Sequence, residues 1–364
     1  MPSNDAWAPR PGVPLAGLTS FGIGGPAAWF ARASTPEDVD RLHRWCAGKH
    51  LPMLVLGGGS NLLVADRGFA GCVARIELRG RRVAADGGDM LVTAGAGEPW
   101  DELVADAVSR GLAGLECLSG IPGCVGGTPI QNVGAYGQEV ATTIERLLVY
   151  DRAASAFREL TAAECGFSYR MSRFKGADAG RFIVCEVTFR LRPGIPVPTY
   201  PDLVAHLART GGTATLAGVR DAVLAIRRRK GMVIDSADPD SRSVGSFFMN
   251  PVVSAAQHER IGVVAAEPVA AFPAGDGYVK VPAAWLIERA GFHKGFADGA
   301  VGISSKHPLA LVNRGHATAA DVLRLATRIK RGVLDRFAVA LRPEPVFAGF
   351  QDEPELEFLL SPQS

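Results

Sequence analysis

One stretch, Cys117–Gln138, constrains the fold of this chain more than any other part of its sequence. Its 22 residues carry no formal charge, yet they include six glycines, two prolines, Gln131 and Asn132. A membrane-spanning helix would be poor in Gly and Pro, because lipid forces its backbone to be satisfied internally. An exposed loop would be charged and solvated. The stretch is therefore predicted to approach a ligand with its main chain, since glycine permits close contact and offers N–H donors to phosphate or a flat heterocycle. A structural loop packed on its own protein is the alternative.

The bulk properties indicate a soluble globular protein. The chain has 364 residues, of which 47% are hydrophobic and 21% charged, enough for two or three domains. A net charge of +2 creates no overall positive potential that would attract nucleic acid. The six cysteines form no C-x-x-C pair and lie in apolar contexts that favour reduced thiols over disulfides or zinc ligands. With no signal-peptide pattern and no apolar run of membrane length, we expect a cytoplasmic protein without a membrane segment.

The secondary-structure signals alternate irregularly, which favours an α+β organisation over a regular βαβ array. Ser34 and Glu37 fit a capping box at one helix start, and Thr318 with Asp321 opens a long amphipathic helix. The polar segment 235–242 predicts a domain boundary. Strands are predicted over residues 53–56, 73–78, 91–94, 144–150 and 182–191, and further helices near residues 100–110 and from about 219 to 230.

Common nucleotide and metal motifs are absent from the sequence. A G-x-G-x-x-G fingerprint fails at Gly57-Gly58-Gly59, where the last glycine position is Leu62, and fails again after Gly95, where it is Trp100. There is no P-loop, no H-E-x-x-H and no paired Cys/His cluster, so no metal site is predicted. Any phosphate-binding loop must therefore be of another type.

Five segments together carry a family resemblance. They are LGGGSNLLV (56–64), AGAGEPWDELV (94–104), GLECLSGIPGCVGGTPIQNVGAYGQEV (114–140), FSYRMSRFK (167–175) and GSFFMNPVV (245–253). In this order and spacing they resemble the UDP-N-acetylenolpyruvoylglucosamine reductase family, in the subgroup with a tyrosine loop. The resemblance covers residues 19 to 350.

The resemblance implies a fold and a domain arrangement. The expected fold is α+β: a two-lobe FAD-binding domain of the vanillyl-alcohol oxidase and p-cresol methylhydroxylase type, plus a C-terminal α+β substrate-binding domain. The expected parts are a flexible arm (1–18), the FAD-binding domain (19–234, with lobes of about 19–78 and 79–234, to which 336–350 returns), the substrate-binding domain (235–335) and a tail (351–364).

The resemblance also implies a reaction. The family reduces UDP-N-acetylglucosamine enolpyruvate to UDP-N-acetylmuramate, with hydride passing from NADPH through non-covalently bound FAD, in peptidoglycan precursor synthesis. By motif match Arg170 is the arginine that binds the substrate carboxylate, for which a guanidinium is suited by bidentate bonding. Ser246 matches the proton donor, and a hydroxyl suffices as acid because a carbanion-like centre is strongly basic. Glu344 matches the glutamate that polarises the carboxylate region.

Binding residues follow from the same motifs. Asn132 is a further polar residue able to fix the ligand's orientation, or else a turn-stabilising side chain. Tyr200 matches the tyrosine of the subgroup's loop, and Arg228 and Arg229 are expected to stay exposed. The implied FAD contacts are Gly57, Gly58, Gly59, Ser60, Asn61, Pro122, Gly123, Gly126, Gly127, Ile130, Gln131, Gly134, Ala135 and Tyr136. The implied substrate contacts are Tyr200, Arg227, Lys230, Asn250 and His307.

One departure and several alternatives remain. Met249 stands where the tyrosine-loop subgroup often has lysine, which weakens the case for a third cation there. Another FAD-dependent oxidase or dehydrogenase of this fold, acting on a small alcohol or lactone, is the main alternative, with Cys124 as its candidate thioether. A nucleotide-binding module without catalysis would make Ser246 and Glu344 incidental. The expected assembly is a monomer that binds no nucleic acid, although the basic run 227–230 permits weak RNA binding.

Overall fold

A computed structural model describes residues 7–361. Helices and strands follow one another irregularly, and no helix in this part of the chain is long and apolar enough to cross a membrane. The helices are α1 Pro36–Gly48, α2 Trp100–Ser109, α3 Pro201–Thr210, α4 Leu216–Arg229, α5 Ala255–Ala265, α6 Ala283–Arg289, α7 Ala319–Phe337 and α8 Pro354–Leu360. The strands are β1 Arg10–Pro14, β2 Pro26–Ala33, β3 Met53–Leu56, β4 Leu62–Val64, β5 Phe69–Ile76, β6 Arg81–Asp86, β7 Asp89–Gly95, β8 Leu112–Ala113, β9 Gly134–Ala135, β10 Gln138–Glu139, β11 Ile144–Asp151, β12 Ala156–Thr161, β13 Phe182–Pro193, β14 Ser243–Ser246, β15 Val252–Ser254, β16 Phe272–Pro273, β17 Tyr278–Lys280, β18 Ala297–Asp298, β19 Val301–Ile303, β20 Ala310–Asn313 and β21 Val346–Ala348.

The chain divides into two compact units. Unit 1 contains residues 7–13, 27–59 and 70–233, and unit 2 contains residues 14–26, 60–69 and 234–361. The break at residues 233 and 234 lies beside the boundary expected from the polar segment 235–242. Each unit has its own hydrophobic core.

Within the described residues, unit 1 contains the two-stranded sheet β10-β9 and two larger sheets. The smaller has the strand order β1-β2-β5-β3, with β3 parallel to β5, and α1 buries Leu42 and Cys46 against it. The larger is antiparallel, in the order β12-β11-β13-β7-β6 with β8 pairing β13. Its core includes the fully buried Trp100 of α2, whose ring lies 5.8 Å from that of Phe189 and whose indole N–H donates to the Leu118 carbonyl at 3.0 Å. This bond ties the start of the glycine-rich stretch to the core.

Helices α3 and α4 form a smaller layer on the same unit. They bury Leu203 and Val223 together with Cys117 of the glycine-rich stretch. Arg220 of α4 donates to both oxygens of Asp101 at 2.6 and 2.8 Å. This two-bond pair joins α4 to α2 and is the geometry in which arginine–carboxylate pairs are strongest.

Unit 2 is built around α7. This helix starts with the predicted capping box, in which Thr318 accepts from the Asp321 amide and Asp321 accepts from that of Thr318. Its apolar face is buried with a four-stranded antiparallel sheet, β14-β20-β19-β18. A three-stranded sheet, β15-β17-β16, and the parallel pair β21-β4 complete the unit.

Four sequence expectations need correction. The first helix is capped by Thr35 and Asp38, one residue beyond the predicted Ser34 and Glu37. Residues 336–350 belong to unit 2, and residues 60–69 join them there because β21 pairs with β4. In the predicted flexible arm, residues 10–14 form β1 beside β2, while residues 1–6 lie outside the described part. The predicted tail contains α8, which buries Leu356 and Leu359, and its last three residues are also outside that part.

The C-terminal helix is held by a buried lysine. Lys330 of α7 is inaccessible to solvent, and its ammonium donates to the carbonyls of Phe358, Leu359 and Ser361 at 2.7, 2.9 and 2.9 Å. These carbonyls lie at the end of α8, where intrahelical partners are lacking. Burial lowers the pKa of this ammonium.

We expect Lys330→Met to destabilise unit 2 by about 2–3 kcal/mol, because buried carbonyls lose their donor. Urea unfolding and the rate of proteolysis of the α8 segment would measure the change. Arg331→Met is the matched control, since Arg331 is exposed on the same helix and lies 5.2 Å from the Phe358 ring. An equal loss in both variants would contradict the assignment to the three bonds.

Candidate functional site

Two glycine loops of unit 1 meet through their main chains. The Gly57–Gly59 turn follows β3, and a Cβ at Gly58 would lie 2.6 Å from the Cα of Gly123. A Cβ at Gly126 would lie 2.5 Å from that of Ala96. Distances this short exclude any residue with a side chain unless the backbone shifts. At Gly127, which is exposed, a Cβ would point into open space. At Gly58 and Gly126 the missing side chain thus lets the chain pack closely on itself, and at Gly127 it leaves the main chain open to a ligand.

Some of the predicted main-chain donors have partners within the chain. The Gly126 amide donates to the Ala96 carbonyl at 2.9 Å, and the Gly127 amide to that of Cys124 at 3.0 Å. At these two positions the main-chain N–H group therefore bonds within the protein. Their contribution is the absence of a side chain.

The cysteine within this stretch is a free thiol. Cys124 is partly buried, and burial raises the pKa of its thiol. A raised pKa disfavours the thiolate that a covalent flavin link would require. The cysteine thus fits a cofactor that is held without a tether.

Three non-glycine residues, two of them within the glycine-rich stretch and one outside it, have a left-handed backbone conformation. Asn132, Tyr136 and Arg170 have φ of 47°, 49° and 55°. Such conformations cost of order 1 kcal/mol or more for residues with a Cβ and persist only when surrounding contacts enforce them. Clusters of this kind are typical of functional sites.

Arg170 lies at the tip of a tight turn in unit 1. Ser168 and Met171 exchange main-chain hydrogen bonds at 3.0 and 3.1 Å across it. The guanidinium donates to the Gly134 carbonyl at 2.6 Å and lies 5.4 Å from the Tyr169 ring. The arginine predicted to bind a carboxylate is thus bonded to the glycine-rich stretch.

The side chain of Asn132 forms a hydrogen-bond network within the protein. The residue is 1% exposed, and its side chain bonds to Glu139, Ser168 and Ala141. The alternative considered from the sequence, a side chain that stabilises a turn, agrees with these contacts.

A second group of predicted residues surrounds Tyr136. Its ring meets that of Tyr200 edge to face, with centroids 5.5 Å apart, and burial raises the pKa of both phenols. Arg227 donates to the Met232 carbonyl at 2.6 Å, while its Nε is shielded and bonds to nothing in residues 7–361. Lys230 lies 3.3 Å from Asp202 of α3. Arg228 and Arg229 are exposed, as predicted.

Ser246 and Glu344 lie on adjoining segments of unit 2. The amide of Glu344 donates to the carbonyl of Phe247 at 2.9 Å, and the amide of Phe247 to that of Leu309 at 2.7 Å. Phe247 and Phe248 are buried in the core and anchor the strand. Gly245, with φ of 77°, lies where the β14–β20 register shifts, immediately before Ser246. Two residues that are 98 positions apart in sequence (344 minus 246) therefore come together.

The remaining predicted substrate residues are also in unit 2. Asn250 accepts from the Ala283 amide at 2.9 Å, at the start of α6, so its oxygen has a structural partner. The amide of Met249 donates to the Arg342 carbonyl at 3.0 Å, beside the Glu344 segment. The amide of His307 donates to the Ser304 hydroxyl at 3.2 Å.

Sequence analysis missed a polar network at the ends of the glycine-rich stretch. Glu116 is 2% exposed; it accepts from the Gly114 amide at 2.7 Å and from Gln138 at 2.8 Å. Gln138 in turn accepts from the Cys117 amide at 2.8 Å. The network joins the first residue of the glycine-rich stretch, Cys117, to its last residue, Gln138. The sequence signal for this network was the carboxylate of Glu116 in the apolar context GLECLSG, because a buried charge needs hydrogen-bond partners.

Comparisons with known proteins cover both units. A family model described as a FAD binding domain matches residues 27–156, and one for the C-terminal domain of UDP-N-acetylenolpyruvoylglucosamine reductase matches residues 238–348. The UDP-N-acetylenolpyruvoylglucosamine reductase of Thermobifida fusca is 51% identical over 347 residues, covering 93% of this chain and 97% of that protein. That of Streptomyces avermitilis is 46% identical over 351 residues, covering 93% and 94%. The crystal structure of the Thermus caldophilus reductase aligns with a TM-score of 0.64 at 27% identity, covering 94% of this chain and 99% of that one.

Proposed function

The chain belongs to the UDP-N-acetylenolpyruvoylglucosamine reductase family, and on this premise we propose which residues perform its reaction. It is an FAD-dependent oxidoreductase that uses NADPH to reduce UDP-N-acetylglucosamine enolpyruvate to UDP-N-acetylmuramate for peptidoglycan synthesis. The alternative of an alcohol or lactone oxidase is not favoured. When bound, FAD accepts hydride from NADPH and supplies it to the alkene of the substrate.

The FAD-binding residues are proposed to be the glycine loops of unit 1 and the positions that flank them. The open main chain at Gly127, and the close contact of Gly58 with Gly123 that keeps side chains away from both loops, support the close approach that a flat ring and a diphosphate require. The other FAD contacts implied by the motifs are proposed on the motif match.

The catalytic roles are divided among three side chains. Arg170 binds the substrate carboxylate and stabilises the negative charge that develops as hydride arrives. Ser246 gives a proton to the carbon next to that carboxylate, and Glu344 polarises the same region. The observation that carries this proposal is the Glu344–Phe247 main-chain bond, which places an acid and a hydroxyl on adjoining segments.

Arg227 and Lys230 are proposed to bind the nucleotide diphosphate, and Tyr200 is proposed to cover the nucleotide. Burial lowers the pKa of the Arg227 guanidinium, and its shielded Nε would gain an acceptor from a phosphate oxygen. Asn250 and His307 are proposed as further substrate contacts on the motif match alone.

A cytoplasmic monomer is the proposed working form. The six cysteines are free thiols, as is usual in reducing compartments. Light scattering of the purified protein would test the monomer.

We expect Arg170→Ala to lower kcat/KM for the enolpyruvyl substrate by about 10²- to 10³-fold, because a preorganised donor to developing charge is lost. NADPH should still bleach the flavin absorbance at the normal rate. Arg173→Ala is the control from the same segment, since Arg173 is paired with Asp178 at 2.7 Å. If Arg170→Ala has no larger effect on kcat/KM than Arg173→Ala, the carboxylate role is wrong.

A further inference from the structure

The turn that carries Arg170 is attached to the glycine-rich stretch at both of its ends. At one end, the carbonyl of Ser168 accepts a hydrogen bond from the side-chain nitrogen (Nδ2) of Asn132 at 3.1 Å. At the other, the hydroxyl of Ser172, itself 1% exposed, donates to the carbonyl of Ile130 at 2.6 Å. One bond holds a main-chain carbonyl of the turn, and the other holds a buried hydroxyl at its far end. Together they fix the position of the turn on the stretch.

The orientation of the Asn132 amide is determined by its neighbours. Its nitrogen also donates to a carboxylate oxygen of Glu139 at 2.8 Å, and its oxygen accepts from the Ala141 amide at 3.1 Å. The Ser168 carbonyl and an ionised carboxylate only accept, so the NH₂ group must face them both. Asparagine also tolerates a left-handed backbone better than most residues, which suits its φ of 47°.

The strained backbone of Arg170 needs such an attachment. With a φ of 55°, the turn would relax toward a commoner conformation if its contacts with the stretch were lost. The guanidinium would then lose its bonds to the carbonyls of Gly134 at 2.6 Å and Asn132 at 3.4 Å, because both carbonyls lie on the stretch and not on the turn.

We infer that Asn132, oriented by Glu139, is a positioning residue that holds Arg170 ready for the substrate carboxylate. This inference rests on the proposed function of Arg170. Asn132 has no direct contact with substrate in this role; its side chain acts through the Ser168 carbonyl, and its main-chain carbonyl accepts from the Arg170 guanidinium at 3.4 Å. The glycine-rich stretch thereby contributes to the reaction by supporting the arginine as well as by receiving the cofactor.

Asn132→Asp is the single substitution that tests this role most directly. The side chain keeps its shape, but an acceptor replaces the donor that faces Ser168 and Glu139, and two carboxylates come together. We expect kcat/KM for the enolpyruvyl substrate to fall about 10- to 100-fold, as a displacement near 1 Å can cost. Flavin content and the rate of flavin bleaching by NADPH should be unchanged. Calorimetry should show the carboxylate-bearing product binding more weakly than to the unaltered protein, but more tightly than to Arg170→Ala.

Asn313→Asp is the matched control for lost stability. Asn313 in unit 2 is also a buried asparagine, which donates to the Phe21 carbonyl at 3.1 Å and accepts from the Gly315 amide at 2.9 Å. It should lower the unfolding temperature without weakening product binding. Glu139→Gln keeps an acceptor for Asn132 and should retain most activity. Should Asn132→Asp not fold, Asn132→Gly removes the amide and keeps the left-handed backbone unstrained.

A double-mutant cycle separates this inference from the function on which it rests. Adding Asn132→Asp (or Asn132→Gly) to Arg170→Ala should cause no further loss in kcat/KM, because residues that act through one another are not additive. Additive losses would overturn the positioning role while leaving the role of Arg170 intact. An Arg170→Ala variant with normal kcat/KM would overturn both. Equal slowing of both half-reactions by the Asn132 variant would also refute the inference.

Discussion

Replacing Ser246 with alanine is expected to slow substrate reduction by about 10²- to 10⁴-fold and to leave flavin bleaching by NADPH unchanged. The hydroxyl is the proposed proton source for the carbon next to the carboxylate, and alanine has none. The fold should survive, because the adjoining Phe247 and Phe248 are held by main-chain bonds and by core packing that do not involve the hydroxyl. Anaerobic stopped-flow absorbance separates the two half-reactions.

Ser243→Ala provides the control on the same strand. Ser243 is 5% exposed, and its hydroxyl accepts from the Gly245 amide at 3.1 Å, so its loss should cost stability and leave the ratio of the two half-reactions unchanged. If Ser246→Ala slows both half-reactions equally, the proton-donor role is wrong.

Gly58→Ala is expected to abolish flavin binding. The new Cβ would lie 2.6 Å from the Cα and 3.1 Å from the carbonyl carbon of Gly123, so one of the two glycine loops must move. Overpacking of this kind costs about 1–3 kcal/mol, and here it falls on backbone that has no flexible side chain to yield. The ratio of flavin to protein absorbance after desalting, together with the unfolding temperature, would measure the result.

Gly48→Ala tests whether any added methyl group has this effect. Gly48 ends α1 in the same unit, and a Cβ there would meet nothing within 4 Å. Alanine should be neutral or slightly stabilising at that position, because it loses less backbone entropy than glycine on folding. A Gly58→Ala protein that keeps a full complement of flavin would show that the loops tolerate separation.

The local signals in the sequence predicted the elements well where one pattern dominated. The helix starting at Thr318 and the strand over residues 53–56 are confirmed. The first helix was misplaced by one residue because Ser34 and Thr35 are both good N-caps, and Asp38 bonds to both of their amides. The predicted tail was wrong because its acidic residues suggested solvent exposure, whereas Lys330 holds the end of the helix.

The order and spacing of five motifs determined the family, and the relatives at 46–51% identity confirm it. FAD, NADPH and the nucleotide-sugar reaction follow from that assignment. A motif records the order and spacing of residue types along the chain, and that record is enough to identify a family.

Only the tertiary structure decided how the proposed site residues are held. The segment of Glu344 lies beside that of Ser246 through the main-chain bond from Glu344 to Phe247, and the Asn132 side chain bonds to Ser168 of the Arg170 turn across 36 residues. It also decided that the Gly126 amide serves the protein itself. Hydrogen bonds between distant segments depend on how the chain packs as a whole, and no local pattern of residues encodes their partners.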